Sequence, residues 1–183
     1  NTGHVPTNAE QQTLIDFEAP EQQELPLKNK VYDEIYVIGN PPYKGGRLKT
    51  TEQTDDFVAY FGSEHYSGNL DYISIWFIKG ARYVTGTKAK LAFVSTNSIV
   101  QGEHVGIMFP KLLNENVEID FAYTSFKWKN SARDNAGVTV IIIGLRTFSN
   151  SKKYLYFDGL KTEVKNINPY LIDGPNLIIE KST

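Results

Sequence analysis

The 183-residue chain contains no cysteine. Disulfides and thiolate metal sites are therefore excluded, and a reducing, cytoplasmic setting is expected. The three histidines, His4, His65 and His104, lie far apart without ligand spacing, so no metal site is expected. No apolar run is long enough to span a bilayer and the first residues carry no signal-peptide pattern, so no membrane partner is expected. Basic charge is not in excess either: 19 Lys and Arg against 21 Asp and Glu give a formal net charge of −2. Phosphate binding usually shows as a basic surplus, so this chain alone is not expected to bind nucleic acid strongly.

What is present is enough for a core. Hydrophobic residues make up 40% and charged residues 22%, the composition of a globular domain. Eleven tyrosines and ten phenylalanines serve a core and also offer flat surfaces for stacking. Residues 1–30 are polar, carry three prolines and read as a loose lead-in with one short helix near Gln11–Phe17.

From Tyr32 the pattern changes. Ile35–Gly39, IYVIG, is a short apolar run that predicts a strand buried on both faces. The stretch TTEQTDDFVAYFG predicts a helix with Phe57, Tyr60 and Phe61 on its inner side, closed by Gly62. A stronger helix follows, with Leu70, Ile73, Phe77, Ala81 and Val84 as its stripe, Asn69 as cap and Gly86 as stop. Ala89–Thr96 is a second strand, and Asn97 and Ser98 suit the start of a helix interrupted before Pro110. Val117–Ser125 and Val138–Leu145 are further strands around a polar loop, and KKYLYFDG adds a shorter one. This order is that of an open α/β sheet with helices on its faces, in which ligands bind beyond the carboxyl ends of the strands.

Asn40-Pro41-Pro42-Tyr43 stands at such an end. Each proline fixes its own φ and pushes its predecessor into an extended conformation. Asn40 and Pro41 are thus held with a backbone carbonyl that no helix claims, and the Asn40 side chain adds a second oxygen. Two fixed acceptors take both hydrogens of one primary amine. An aromatic amine such as that of adenine is a poor nucleophile because its lone pair is delocalised into the ring. Drawing both N–H groups to fixed acceptors favours the geometry that frees it, an oxyanion hole of reversed polarity. Tyr43 offers a ring on which a base taken out of its helix would stack. A rigid turn is the plainer use of the same residues; the position at a strand's carboxyl end favours the chemical one.

VIGNPPY resembles the catalytic motif of amino-group DNA methyltransferases, the adenine-specific class that uses S-adenosylmethionine. The same motif occurs in glutamine methyltransferases that modify release factors. The wider context, GNPPYKGG, DYISIWFIKGARYV, KLAFVSTNSIVQGE, FKWKNSARDNAGVTVIIIGL and INPYLIDGPN, resembles the large restriction–modification enzymes of the MmeI-like type. The resemblance implies a three-layer α/β/α, Rossmann-like methyltransferase sheet, mostly parallel with an antiparallel final hairpin. It implies that Asn40 and the Pro41 carbonyl accept the amine hydrogens, and that Tyr43 stacks on a flipped adenine of double-stranded DNA. Phe126 or Trp128 would close the other side of the base. The block Ser95–Ser98 matches a family segment or is simply a helix cap.

The family's acidic-x-Gly-x-Gly loop for the methyl donor is not found here: Gly45-Gly46 follows the catalytic motif rather than a strand. The chain is therefore expected to be the carboxyl-side half of such a domain. Residues 1–30 would be lead-in, 31–149 the half domain, and 150–183 an extension toward a target-recognition domain outside the chain. Alone it is expected to be inactive, with the rest of the parent polypeptide as partner. Two basic clusters, Lys44, Arg47 and Lys49, and Lys127, Lys129 and Arg133, are placed to touch phosphates flanking the base. A protein-glutamine methyltransferase or a non-catalytic module of the same fold are the alternatives.

Overall fold

The computed structural model describes residues 34–63, 68–128 and 138–179. Six strands form one sheet: β1 (Tyr36–Gly39), β2 (Lys90–Thr96), β3 (Val117–Lys127), β4 (Thr139–Thr147), β5 (Lys153–Phe157) and β6 (Leu160–Val164). Their order is β1-β2-β4-β3-β5-β6. β1 and β2 are parallel, as are β3 and β5; β4 runs against both its neighbours and β6 against β5. Four strands therefore share one direction, and the last two form an antiparallel hairpin, as expected. That hairpin turns on Asp158 and Gly159, both at positive φ (47° and 76°), the two-residue connection whose twist matches the flanking strands.

Three helices follow the sequence pattern closely. α1 (Thr51–Phe61) opens with a reciprocal capping box between Thr50 and Gln53 and closes at Gly62. α2 (Ile73–Val84) buries Ile73, Phe77, Ala81 and Val84, the expected stripe. Its start differs from expectation. Asn69 does not cap it but donates to Glu103; instead Asp71 Oδ1 accepts from the Ile73 N–H. α3 (Gly102–Asn114) is preceded by a 3-10 turn over Asn97–Val100 and runs through Pro110 rather than stopping before it. Pro110 forfeits the bond to the Gly106 carbonyl, a helix-interior cost of roughly 3 kcal/mol. Val105, Met108, Phe109 and Leu112, all buried on this helix, together recover more, at about 1.5–3 kcal/mol per large apolar side chain.

The core lies on one face of the sheet. Leu91 and Phe93 of β2, Ile141, Ile143 and Leu145 of β4, and Ile119 and Ala122 of β3 pack with the buried faces of α2 and α3. The approach is close: a Cβ on Gly80 would collide with Leu91, and Phe77 meets Phe93 edge-on at 5.5 Å. The opposite face carries Tyr36, Ile38, Phe121, Tyr123 and Tyr156, with Tyr123 and Tyr156 stacked at 4.3 Å. The described residues thus supply the sheet and one helical layer. Here β1 departs from the reading of a strand buried on both faces. It is an edge strand among the described residues, and Ile38 is 80% exposed, because α2 reaches the sheet at β2 and β4 on the other face.

A buried charge cluster lies at the end of the sheet where β2 begins. Arg146 pairs with Glu118 at 2.8 Å and with Asp120, and Lys153 reaches the second oxygen of Glu118 at 2.8 Å. All four residues are at least nine-tenths buried. It locks β3, β4 and β5 together, since each strand contributes a member.

Candidate active site

The chain reaches the candidate site by the carboxyl ends of β1, β2 and β3, which all open on one edge of the sheet. The edge is stepped. Gly39, the last residue of β1, pairs with Phe93, and β2 continues for three more residues to Thr96. At a strand rise of about 3.3 Å per residue, β1 stops roughly 10 Å short of β2. Asn40–Tyr43 follows directly at this step. Thr96 and Phe126 each lie opposite Val140 of β4, so the loops after β2 and β3 emerge level with each other.

Pro41 is buried, while Asn40, Pro42 and Tyr43 are exposed, Tyr43 to 44%. The buried ring anchors the loop and leaves its polar atoms outside. Among the described residues the Asn40 side chain makes no hydrogen bond, and nothing donates to the Pro41 carbonyl. Two acceptors therefore stand open beside an accessible ring.

The loop is then held from its far side. The Lys44 N–H donates to Asp71 Oδ1 at 2.9 Å, and the Lys44 carbonyl accepts from the Tyr72 N–H at 3.0 Å. Asp71, only 8% exposed, is itself hooked to α3: its N–H donates to His104 Nε2 at 3.2 Å. Burial pulls the His104 imidazole below its ordinary pKa, against the opposing pull of Asp71 and Glu103. At Gly46 a Cβ would collide with the Gly68 carbonyl and lie 2.6 Å from the Asn69 Cα, so the loop presses on the start of α2 as only glycine permits. Tyr72 also fastens α1, donating to Asp56 at 2.6 Å, a bond that pushes its phenol up to about 12.

The basic residues divide. Lys44, Arg47 and Lys127 are exposed. Lys49 is placed differently from the expected phosphate contact. Its ammonium donates to the carbonyls of Gly68 and Leu70 and sits 4.7 Å from the centre of the Phe57 ring. Burial lowers its pKa, with Asp71 opposing. Lys129 and Arg133 lie outside the described residues. Phe126 and Trp128 form one aromatic group, with centroids 6.5 Å apart. Phe126 lines an open cavity of about 570 Å³ with Tyr123, Ile142 and Tyr156, whereas Trp128 is 45% exposed. In the Ser95–Ser98 block, Ser95 is fully buried and Thr96 hydrogen-bonds Ser98 at 2.7 Å across the 3-10 turn.

The Asp71–His104 clamp was not among the sequence candidates. Asp71 lies 27 residues from Lys44, and the only local signal was an acid two positions before the first residue of a helix, which the more familiar cap Asn69 obscured.

The family model of the MmeI DNA-methyltransferase domain matches residues 7–157. The chain belongs to this family. It is 46% identical over 152 residues to DNA methyltransferase A of Bacillus subtilis (strain 168), a match covering 82% of this chain and 17% of that protein. Its fold is similar to the solved structure of the type IIL restriction–modification enzyme MmeI in complex with DNA. The TM-score is 0.73 and the identity 38%, over 79% of this chain and 20% of that one. The chain thus spans no more than a fifth of the length of either relative. The family match takes in the Asn-Pro-Pro-Tyr loop, both helices that brace it and the Phe126–Trp128 strand end.

Proposed function

We propose that this chain is part of a site-specific DNA adenine-N6 methyltransferase, within a restriction–modification protein, that methylates an adenine turned out of the duplex. The observation that carries this reading is the pair of acceptors, Asn40 Oδ1 and the Pro41 carbonyl, that no described residue claims, beside the exposed Tyr43 ring at the end of β1.

The chemistry follows from the residues. Asn40 and Pro41 accept the two hydrogens of the adenine amine, and positive charge developing on that nitrogen is stabilised by oxygens already in place. Tyr43 holds the base by its face, and Phe126 or Trp128 closes the opposite side. Lys44, Arg47 and Lys127 contact flanking phosphates and fix orientation rather than sequence. The DNA complex of the solved relative supports DNA as the partner, here read as double-stranded.

S-adenosylmethionine, when bound, supplies an electrophilic methyl group. The described residues do not fit its binding loop: Gly46 is packed on Gly68 and Asn69 instead of opening after a strand. Donor binding is therefore assigned to other parts of the parent polypeptide, and the isolated chain is expected to be inactive.

The test uses the full-length protein, unmethylated DNA and donor labelled in its methyl group. Digestion to nucleosides and mass spectrometry should find the label in N6-methyladenine. Label in cytosine, or only in protein, overturns the reading.

A further inference from the structure

We propose that Asp71 is a positioning residue for this reaction: its carboxylate fixes the peptide that follows Tyr43 and so sets where the stacking ring meets the base. The inference rests on the adenine-methylating reading above and adds a residue to it.

The Tyr43 ring is 44% exposed, so its placement depends largely on the backbone that carries it. That backbone is tied at both ends. Upstream, the buried Pro41 anchors it. Downstream, Lys44 is gripped through both peptide groups, its N–H by Asp71 Oδ1 at 2.9 Å and its carbonyl by the Tyr72 N–H at 3.0 Å. The same Oδ1 accepts the Ile73 N–H at 3.2 Å. One oxygen thus joins the first turn of α2 to the residue after Tyr43. Asp71 is held in turn, since its N–H donates to His104 of α3 and its own carbonyl accepts from the Ser74 N–H at 3.0 Å. A residue that merely capped α2 would need only the Ile73 bond. The bond to Lys44 spans 27 residues and contributes nothing to the helix. Without it Lys44 keeps only the Tyr72 bond among the described residues, and between the anchors at Pro41 and Gly46 the peptide that carries Tyr43 is held less tightly. A misplacement of about 1 Å at a reacting centre is enough to cost two orders of magnitude in rate.

Three substitutions in the full-length methyltransferase test this: Asp71→Ala, Asp71→Asn and Asp71→Glu. The amide keeps an oxygen at Oδ1 for both N–H groups. Glutamate keeps charge and acceptors but displaces them by one methylene. For Asp71→Ala, kcat should fall roughly 10- to 100-fold, with KM for DNA and donor affinity within about threefold of wild type. Asp71→Asn should restore kcat to within about threefold, and Asp71→Glu should lose at least about tenfold while melting near wild type. If the alanine protein fails to fold, the glutamate and asparagine forms decide. Wild-type kcat in Asp71→Ala or Asp71→Glu overturns the inference. So does a loss in Asp71→Asn as deep as in the alanine form, or a loss confined to melting temperature or donor affinity. A wild-type protein that labels no adenine at all fails the functional reading instead, which separates the two.

Discussion

Thr96 of β2 and Phe126 of β3 stand level with one another, each opposite Val140 of the strand between them. A register shift in β3 between Tyr123 and Phe126 produces this alignment. Without that extra residue Phe126 would turn to the face covered by α2 and α3, because one residue of slip exchanges the two faces of a strand. The bulge thus keeps Phe126 on the face away from α2 and α3, at the sheet edge where Asn40 also emerges.

Replacing Trp128 by alanine should weaken the site more than replacing Phe126. Trp128 is the more exposed of the two, while Phe126 is partly committed to the cavity wall beside Tyr123 and Tyr156. Base–aromatic stacking is worth about 1–3 kcal/mol. Steady-state methylation by Trp128→Ala should therefore fall in kcat/KM by roughly 5- to 150-fold. If only Phe126→Ala shows the loss, the base stacks on Phe126.

Acid should loosen the brace behind the loop. His104 has a pKa lowered in the folded state by burial, from an ordinary 6.5. Below 6.5 the unfolded chain takes up a proton that the folded one resists, so stability falls with pH until the lowered folded value is passed, then levels off. Lys49 favours the neutral form, while Asp71 and Glu103 favour the charged one. Protonation also removes the acceptor for the Asp71 N–H. Denaturant midpoints between about pH 7.5 and about pH 5.5 should drop more in wild type than in His104→Gln, which has no titrating ring. Equal slopes would show that His104 takes no part.

Arg146→Met should be among the most damaging changes far from the site. It strands Glu118 and Asp120 in a nearly dry cluster, with Lys153 and Lys90 left to compensate. Removing one partner of a buried pair costs about 3–5 kcal/mol. Equilibrium unfolding should show that loss; a change under about 1 kcal/mol, the worth of an exposed pair, would mean the cluster is hydrated.

Neighbouring glycines supply an internal control. A Cβ at Gly45 meets nothing within 4 Å, whereas at Gly46 it lies 2.6 Å from the Asn69 Cα, backbone that cannot swing aside. Gly46→Ala should destabilise by about 1–3 kcal/mol and lower kcat, while Gly45→Ala should stay within about 0.5 kcal/mol. Equal behaviour of the two variants would contradict the packing of this loop on α2.

Much of this was legible in the chain itself. Ile73, Phe77, Ala81 and Val84 repeat at helical spacing and are buried as that spacing requires. Asn40-Pro-Pro-Tyr announces its place because prolines cannot continue a strand. What was not legible depends on contacts between distant residues. Glu118 and Asp120 alternate with apolar neighbours as solvent-facing residues do, yet are buried because Arg146 and Lys153 come from other strands. The exposure of Ile38 is equally invisible locally, since an apolar run does not state how many faces are covered. Lys49 looks like its basic neighbours until the fold closes the Gly68 and Leu70 carbonyls around it.

The most direct measurement is the single-turnover rate of N6-methyladenine formation by the full-length protein and its Asn40→Ala form, with DNA and donor saturating. Removing one preorganised hydrogen-bonding group should slow the chemical step by roughly 10²- to 10³-fold while DNA and donor binding hold. A rate in Asn40→Ala close to wild type would contradict the assignment of Asn40 to the adenine amine.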